Sequence, residues 1–169
     1  VVDAQARRMG RLVTDLRKLA DLETAALSLE DVDIAETVHD AAQAVGEEGA
    51  ARGGGPRIRL DLPQVPWPLS HVRGDGDLLY SAVYNVISNA SKYTSPGGTV
   101  EVRGREESGT VTIEVADTGI GVPQADLPAV WSELARAGNA RGLPGSGLGL
   151  ALVSTIVRRH GGSVRMASR

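Results

Sequence analysis

Asn85-Val86-Ile87-Ser88-Asn89-Ala90-Ser91-Lys92-Tyr93-Thr94 is the stretch on which the fold turns. Leu79, Val83, Val86, Ile87 and Ala90 recur at helical spacing and give one buried face. Asp75 stands where an N-cap belongs, so the pattern predicts a helix over 78–93. Asn89 lies four residues after Asn85, Lys92 three after Asn89 and Tyr93 four after it, which places all of them on one side of that helix. An amide oxygen is a hard, neutral ligand suited to Mg²⁺, and a lysine beside it supplies a point charge for phosphate. Asparagine is an indifferent helix former, so two of them in mid-helix call for a reason. Taken alone, the alternative is a polar stripe facing solvent.

Upstream, Asp33 followed by Glu36 has the form of a capping box and starts a helix that runs to about Glu48. Three consecutive glycines within Ala51–Pro56 end it in a turn. Ile58, Leu60 and Leu62 alternate through Arg57–Leu62 and predict a strand, and the three prolines of Leu62–Pro68 make a loop. Leu22–Val32 reads as a connector. Val1–Leu22 is a predicted helix with a stripe of Val2, Met9, Leu12, Leu16 and Leu19, widened by Val13 and Ala20. That stripe suits either a helix docked on its own domain or one member of a helical bundle.

Downstream, Pro96-Gly97-Gly98 is a turn, and Thr99–Arg105 and Thr110–Ala116 are strands of a hairpin bending near Ser108-Gly109. Asp117-Thr118-Gly119-Ile120-Gly121 follows directly. Its glycines allow backbone to approach a flat ligand or to turn with positive φ, and its carboxylate can accept from an exocyclic amine. The alternative is an ordinary strand-ending turn. A short helix is predicted around Leu127–Ala135. Gly145-Ser146-Gly147-Leu148-Gly149 then opens a helix reaching His160, where Gly161-Gly162 stops it. A glycine loop running into a helix N-terminus binds phosphate through free N–H groups and the helix dipole. No Lys-Ser or Lys-Thr follows it, so it is not a Walker loop, and no strand immediately precedes it as a dinucleotide fingerprint requires. Ser163–Ala167 is expected to be a strand whose partner lies past Arg169.

Of the 169 residues, 41% are hydrophobic and 23% charged, the composition of a globular protein. Phenylalanine is absent and aromatics make up only 3%, so the core must be Val, Leu, Ile and Ala. With no cysteine there is no disulfide framework and no thiolate zinc site. A net charge of -3 offers no basic footprint for nucleic acid. No run approaches the ~18 apolar residues of a membrane span.

The three motifs in this order, with His160-Gly161-Gly162 closing the last helix, resemble the N box and two glycine boxes of sensor histidine kinases over roughly Leu29–Arg169. The resemblance implies an α+β fold: a two-layer α/β sandwich whose mixed sheet is covered by helices on one face, with ATP under a flexible lid. It makes Asn89 a Mg²⁺ ligand and Asn85 and Lys92 phosphate-side residues. Tyr93 would pack on adenine, Asp117 would read its amino group, and Gly119, Ile120 and Gly121 would shape that pocket. Gly145, Ser146, Gly147, Leu148 and Gly149 would carry the lid onto the phosphates. Residues 1–28 resemble the second helix of the family's dimerisation and phosphoacceptor hairpin, and 29–169 its ATP-binding catalytic domain. The implied partners are that hairpin in a homodimer and a response regulator, in the cytoplasm beneath a membrane anchor.

Several family features are altered. The phosphoacceptor motif is absent and is expected upstream of Val1, so the chain alone should not autophosphorylate. His39-Asp40 has a superficial likeness to it, but Ala41-Ala42-Gln43 do not continue the pattern; His71 and His160 read as structural or surface residues. In place of two phenylalanines, Trp131 and Leu134 keep apolar character for the lid, and Arg136 keeps the arginine that meets the terminal phosphate. The family's final hairpin is expected beyond Arg169. Related ATPases with this fold have a glutamate general base where this chain has Asn85, and an amide cannot take a proton. Histidine phosphorylation is therefore favoured over hydrolysis, with a nucleotide-binding regulatory module or pseudokinase as the alternative that the altered lid supports.

Overall fold

Two aspartates start the long helices of the computed structural model. Asp33 Oδ1 accepts from Glu36 N at 3.0 Å and opens α1 (Ile34–Ala51); Asp75 Oδ1 accepts from Leu78 N at 3.2 Å and opens α2 (Gly76–Tyr93). Each satisfies an amide with no partner inside its helix. The structure describes all residues except 1–9, 11, 12, 15, 18, 136, 141–145 and 169. The chain divides into two compact units, Leu27–Gly121 and Val1–Ala26 with Val122–Arg169.

In the first unit, β1 (Glu30–Val32) pairs antiparallel with β3 (Val72–Gly74). The larger sheet has the order β2 (Arg57–Asp61), β4 (Thr99–Glu107), β5 (Thr110–Asp117), with β2 parallel and β5 antiparallel to β4. Side chains alternate across a strand. Val100 and Val102 of β4, Ile58 of β2 and Val111, Ile113 and Val115 of β5 therefore join the helices in one core. The helices contribute Ile34, Val38, Ala41, Ala42 and Val45 from α1 and Leu79, Ile87 and Ala90 from α2. The opposite face is charged: Arg103 is paired with Glu101 and, at 3.2 Å, with Glu114. The expected sandwich, a mixed sheet with helices on one face, is what forms, and its core is aliphatic as the absence of phenylalanine requires.

The hairpin is tighter than the pattern predicts. Its strands continue to Glu107 and from Thr110, leaving Ser108-Gly109 as a two-residue turn with φ of 51° and 75°. Positive φ at both positions matches the right-handed twist of the flanking strands. The expected connector over Leu22–Val32 is structured: helix extends through Thr24, and β1 follows. A three-residue strand is too short to show a period of two, so its pairing with β3 left no sequence signal.

In the second unit, α3 (Gly149–Arg159) ends with Gly161 at φ 75°, Gly161 N donating to Arg158 O at 3.0 Å and Gly162 N to Val157 O at 2.9 Å. Those two bonds close the helix as its glycines predict. Arg159 donates to Leu22 O and, at 2.6 Å, to Ala25 O, satisfying carbonyls at the end of the N-terminal helical segment. On that segment Leu19 is buried while Val13 and Leu16 are exposed; Val2, Met9 and Leu12 lie outside the described residues.

Two expected elements do not form. The helix around Leu127–Ala135 shrinks to a 3₁₀ turn, Leu127–Ala129, followed by the three-residue-spaced bonds Ser132 N to Ala129 O and Ala135 N to Ser132 O, at 2.9 and 3.2 Å. Leu134 adopts a left-handed φ of 59°, which cannot continue an α-helix. Ser163–Ala167 is not a strand: no described segment ladders with it, and Ser168 is held by Val122 N and Gln124 Nε2, at 2.9 and 2.6 Å.

Ile87 is fully buried at the centre of the first unit's core. Ile87→Ala should cost about 2–5 kcal/mol in denaturant unfolding, the sum of lost transfer energy and residual cavity. Tyr84 O–H donates to Glu48 and bridges α2 to α1. Burial first, then the hydrogen bond and charge of Glu48, raise its pKa above 10.0, against smaller opposing effects of Ser88 and Arg52. The folded chain thus resists ionising Tyr84 more than the unfolded chain does. Stability should be insensitive to Tyr84 below pH 10.0 and fall as pH rises above it, and Tyr84→Phe should remove that part of the alkaline loss.

Candidate functional site

α2 presents Asn85, Asn89, Lys92 and Tyr93 half-buried along one side, as their spacing predicts. They are not equivalent. Asn85 Nδ2 donates to Ser81 O at 2.7 Å, so one amide hydrogen serves the helix itself. The Asn89 side chain has no partner among the described residues. Lys92 Nζ lies 3.0 Å from Tyr93 Oη and 4.5 Å from the centre of that ring. The ammonium thereby rests on an aromatic face, a contact weak enough at a half-exposed site for a phosphate to displace.

The turn after β5 is fastened to the end of this helix. Ile120 N donates to Tyr93 O at 3.1 Å, and Thr118 N and Oγ1 engage Thr99, at 3.1 Å to its carbonyl and 3.0 Å from its N–H. Asp117 Oδ1 accepts from Gly119 N at 2.8 Å, which ties the carboxylate to the turn, and the residue is exposed. A Cβ on Gly119 would stand 2.4 Å from Tyr93 O, 2.8 Å from Asp117 Oδ1 and 2.9 Å from Thr94 Oγ1. Gly119 is therefore demanded by close packing of the turn on α2, whereas Gly121, at φ 64°, serves the conformation of the chain. Ile120 is exposed beside them.

Thr94 was not among the residues singled out by sequence. Its side chain is buried, and Oγ1 is the one buried side-chain polar atom without a hydrogen-bond partner among the described residues. Its only sequence signal is its place directly after Tyr93, where a threonine reads as an ordinary helix end.

In the other unit, Gly147 has φ 77°, Ser146 Oγ accepts from Leu148 N at 3.3 Å, and Leu148 is buried. Among the described residues no side chain caps α3, which leaves its leading amides suited to an anion. Gly145 and Arg136 lie outside the described residues. Leu134 does not pack as an apolar replacement should: it is 57% exposed. The histidines behave as expected. His160 Nδ1 lies 2.7 Å from Ile156 O, His71 sits 3.7 Å from Asp33 on the surface, and His39 is exposed. No group of His, Cys, Asp and Glu suited to a metal occurs among the described residues.

The histidine kinase-, DNA gyrase B-, and HSP90-like ATPase family matches residues 74–169, the stretch that holds all three motifs. The chain belongs to this family. Within it, the chain is similar to a solved mycobacterial sensor histidine kinase, MprB, at 33% identity and TM-score 0.64, covering 79% of this chain and 80% of that one. It also resembles full-length ShkA solved with AMPPNP, at 28% identity and TM-score 0.72, over 88% of this chain and 30% of that one. A curated relative, the signal transduction histidine-protein kinase/phosphatase MprB of Mycobacterium sp. (strain KMS), is 37% identical over 98% of this chain. The chain spans 30% of that relative's length. Membership in an ATPase family implies that the chain binds ATP. No described helix is long and apolar enough to cross a membrane.

Gly119→Ala forces a methyl against the backbone oxygen of Tyr93, which no side-chain motion relieves. Thermal unfolding should show a loss of about 1–3 kcal/mol, as overpacking in a tight site does. An unchanged melting temperature would mean that the turn and the helix end are not in rigid contact.

Proposed function

We propose that this chain is the ATP-binding catalytic module of a sensor histidine kinase, with residues 1–28 from its dimerisation hairpin and 29–169 its catalytic domain. The observation that carries it is the fastening of the Asp117–Gly121 turn to the end of α2 through Tyr93 O. It gathers Lys92, Tyr93, Thr94 and Asp117 in one place within a family of ATPases.

The residues suit the nucleotide. Asp117 is exposed and offers its carboxylate to the exocyclic amine of adenine, near the buried hydroxyl of Thr94. Lys92 carries a displaceable positive charge on the phosphate side, with Asn85. Asn89 keeps a free amide for Mg²⁺. In the second unit, the uncapped start of α3 with Ser146, Gly147, Leu148 and Gly149 is suited to phosphate, and Gly145 and Arg136 complete that set. ATP supplies the transferable γ-phosphoryl group; the side chains supply positioning and charge neutralisation. Asn85 cannot act as a base for water, which favours transfer to a histidine over hydrolysis.

The histidine acceptor belongs to the hairpin of the whole protein, and a response regulator receives the phosphoryl group next. Exposed Val13 and Leu16 on the N-terminal segment support packing of that hairpin into a homodimeric bundle. A membrane anchor with this module in the cytoplasm completes the proposal. The exposed Leu134 gives weight to a second reading, a nucleotide-binding regulatory module or pseudokinase with weak catalysis.

Calorimetric titration of ATP into the chain, with and without Mg²⁺, tests the site. Asp117→Asn should weaken ATP by about 1–3 kcal/mol through a mispaired polar contact. Asn89→Ala should retain binding but lose its Mg²⁺ dependence. Adding the phosphoacceptor hairpin in trans should produce acid-labile phosphohistidine; tight ATP binding without that product would favour the regulatory reading. Absence of ATP binding by the folded chain would refute the catalytic reading and give the lead to the regulatory, pseudokinase one.

A further inference from the structure

Thr94 combines two properties that rarely occur together. Its side chain is 5% exposed, and its hydroxyl has no partner among the described residues. A buried hydroxyl left unpaired costs about 1–3 kcal/mol, and buried polar groups are paired in the great majority of cases. The hydroxyl is also aimed. Thr94 Cγ2 lies 2.4 Å from where a Cβ of Gly98 would stand, and Oγ1 lies 2.9 Å from where a Cβ of Gly119 would stand. The methyl thus packs against one glycine and the hydroxyl faces the other, which restrains the rotamer.

Three oxygens converge at Gly119: Tyr93 O, Asp117 Oδ1 and Thr94 Oγ1. Tyr93 O already accepts from Ile120 N, and Asp117 Oδ1 from Gly119 N. The only hydrogen any of the three can donate is that of the Thr94 hydroxyl. A hydroxyl beside a carboxylate makes a short, charge-assisted bond when the carboxylate turns to meet it.

We propose that Thr94 is a positioning residue for Asp117: its hydroxyl donates to the carboxylate when nucleotide is bound and fixes the orientation that reads a 6-amino purine. The inference rests on the nucleotide-binding reading of this site. With Gly119 N and the Thr94 hydroxyl both donating to Asp117, the remaining acceptor capacity is directed at the amine. A 6-oxo purine presents an acceptor there and gains nothing from that arrangement.

The test measures ATP and inosine triphosphate affinities by calorimetry for the wild-type chain, Thr94→Val, Thr94→Ser and the pair Thr94→Val/Asp117→Asn. Thr94→Val keeps the shape and removes the hydroxyl, so its nucleotide-free melting temperature should be unchanged or higher. ATP should nevertheless bind roughly tenfold more weakly while inosine triphosphate changes little, consistent with loss of one charge-assisted hydrogen bond. Thr94→Ser should retain the preference for ATP, and in the Asp117→Asn background Thr94→Val should have no further effect. If Thr94→Val does not fold, Thr94→Ala read against Thr94→Ser makes the same comparison. A wild-type ATP preference in the hydroxyl-free variant overturns the proposal. So does equal weakening of both nucleotides, which would reveal structural support alone. A wild-type chain that binds no ATP removes the nucleotide reading itself and Thr94's role with it, whereas a binding wild type with an indifferent Thr94 removes only the latter.

Discussion

At the C-terminus of α2 the helix hands its last carbonyl groups to other parts of the chain. Tyr93 O, free of the helix ladder, accepts from Ile120 N, and the missing side chain of Gly119 lets the turn after β5 come down on it. This contact joins the two layers of the sandwich where the first two motifs meet. Any residue larger than glycine would separate the turn from the helix and carry Asp117 away from Tyr93. Aliphatic burial holds helices and sheet together elsewhere, but it is non-directional and cannot set such a relation to within an ångström.

That relation explains how a polar site survives on an aliphatic fold. The sheet and its helices bury Val38, Ile87, Val100 and Val102 completely, while Lys92, Tyr93, Thr94 and Asp117 lie at the rim where α2 and β5 end. At such a rim, side chains can be partly desolvated without being enclosed. Lys92 covers the Tyr93 ring, Asp117 is held by Gly119 N, and Thr94 is buried. Each is placed by backbone geometry that the core makes rigid. Membership in an ATPase family implies ATP binding, and the proposed function assigns that ligand to this rim.

The altered lid region is the counterweight. Leu134 stands where the family has an aromatic residue, and it adopts a left-handed backbone with its side chain in solvent. A lid anchored by a smaller, exposed residue buries less apolar area and closes with less driving force. Under the proposed function, adenine recognition would rest on residues of the other unit, away from Leu134. The proposed kinase reading and the regulatory reading differ on whether nucleotide binding is followed by phosphoryl transfer.

Periodicity and capping chemistry made α1, α2, α3 and the hairpin legible, because Asp33, Asp75, Ser108-Gly109 and Gly161-Gly162 act through their nearest neighbours. Spacing also placed Asn85, Asn89, Lys92 and Tyr93 on one side of a helix. The strand expected over Ser163–Ala167 and the helix expected over Leu127–Ala135 failed for the converse reason. A strand exists only through its partner, and a helix cannot pass a left-handed residue. The pairing of β1 with β3, the unpaired hydroxyl of Thr94 and the true reason for Gly119 were decided by tertiary structure alone. Each depends on atoms distant in sequence, and no local pattern of residue types records how closely two distant segments of chain approach.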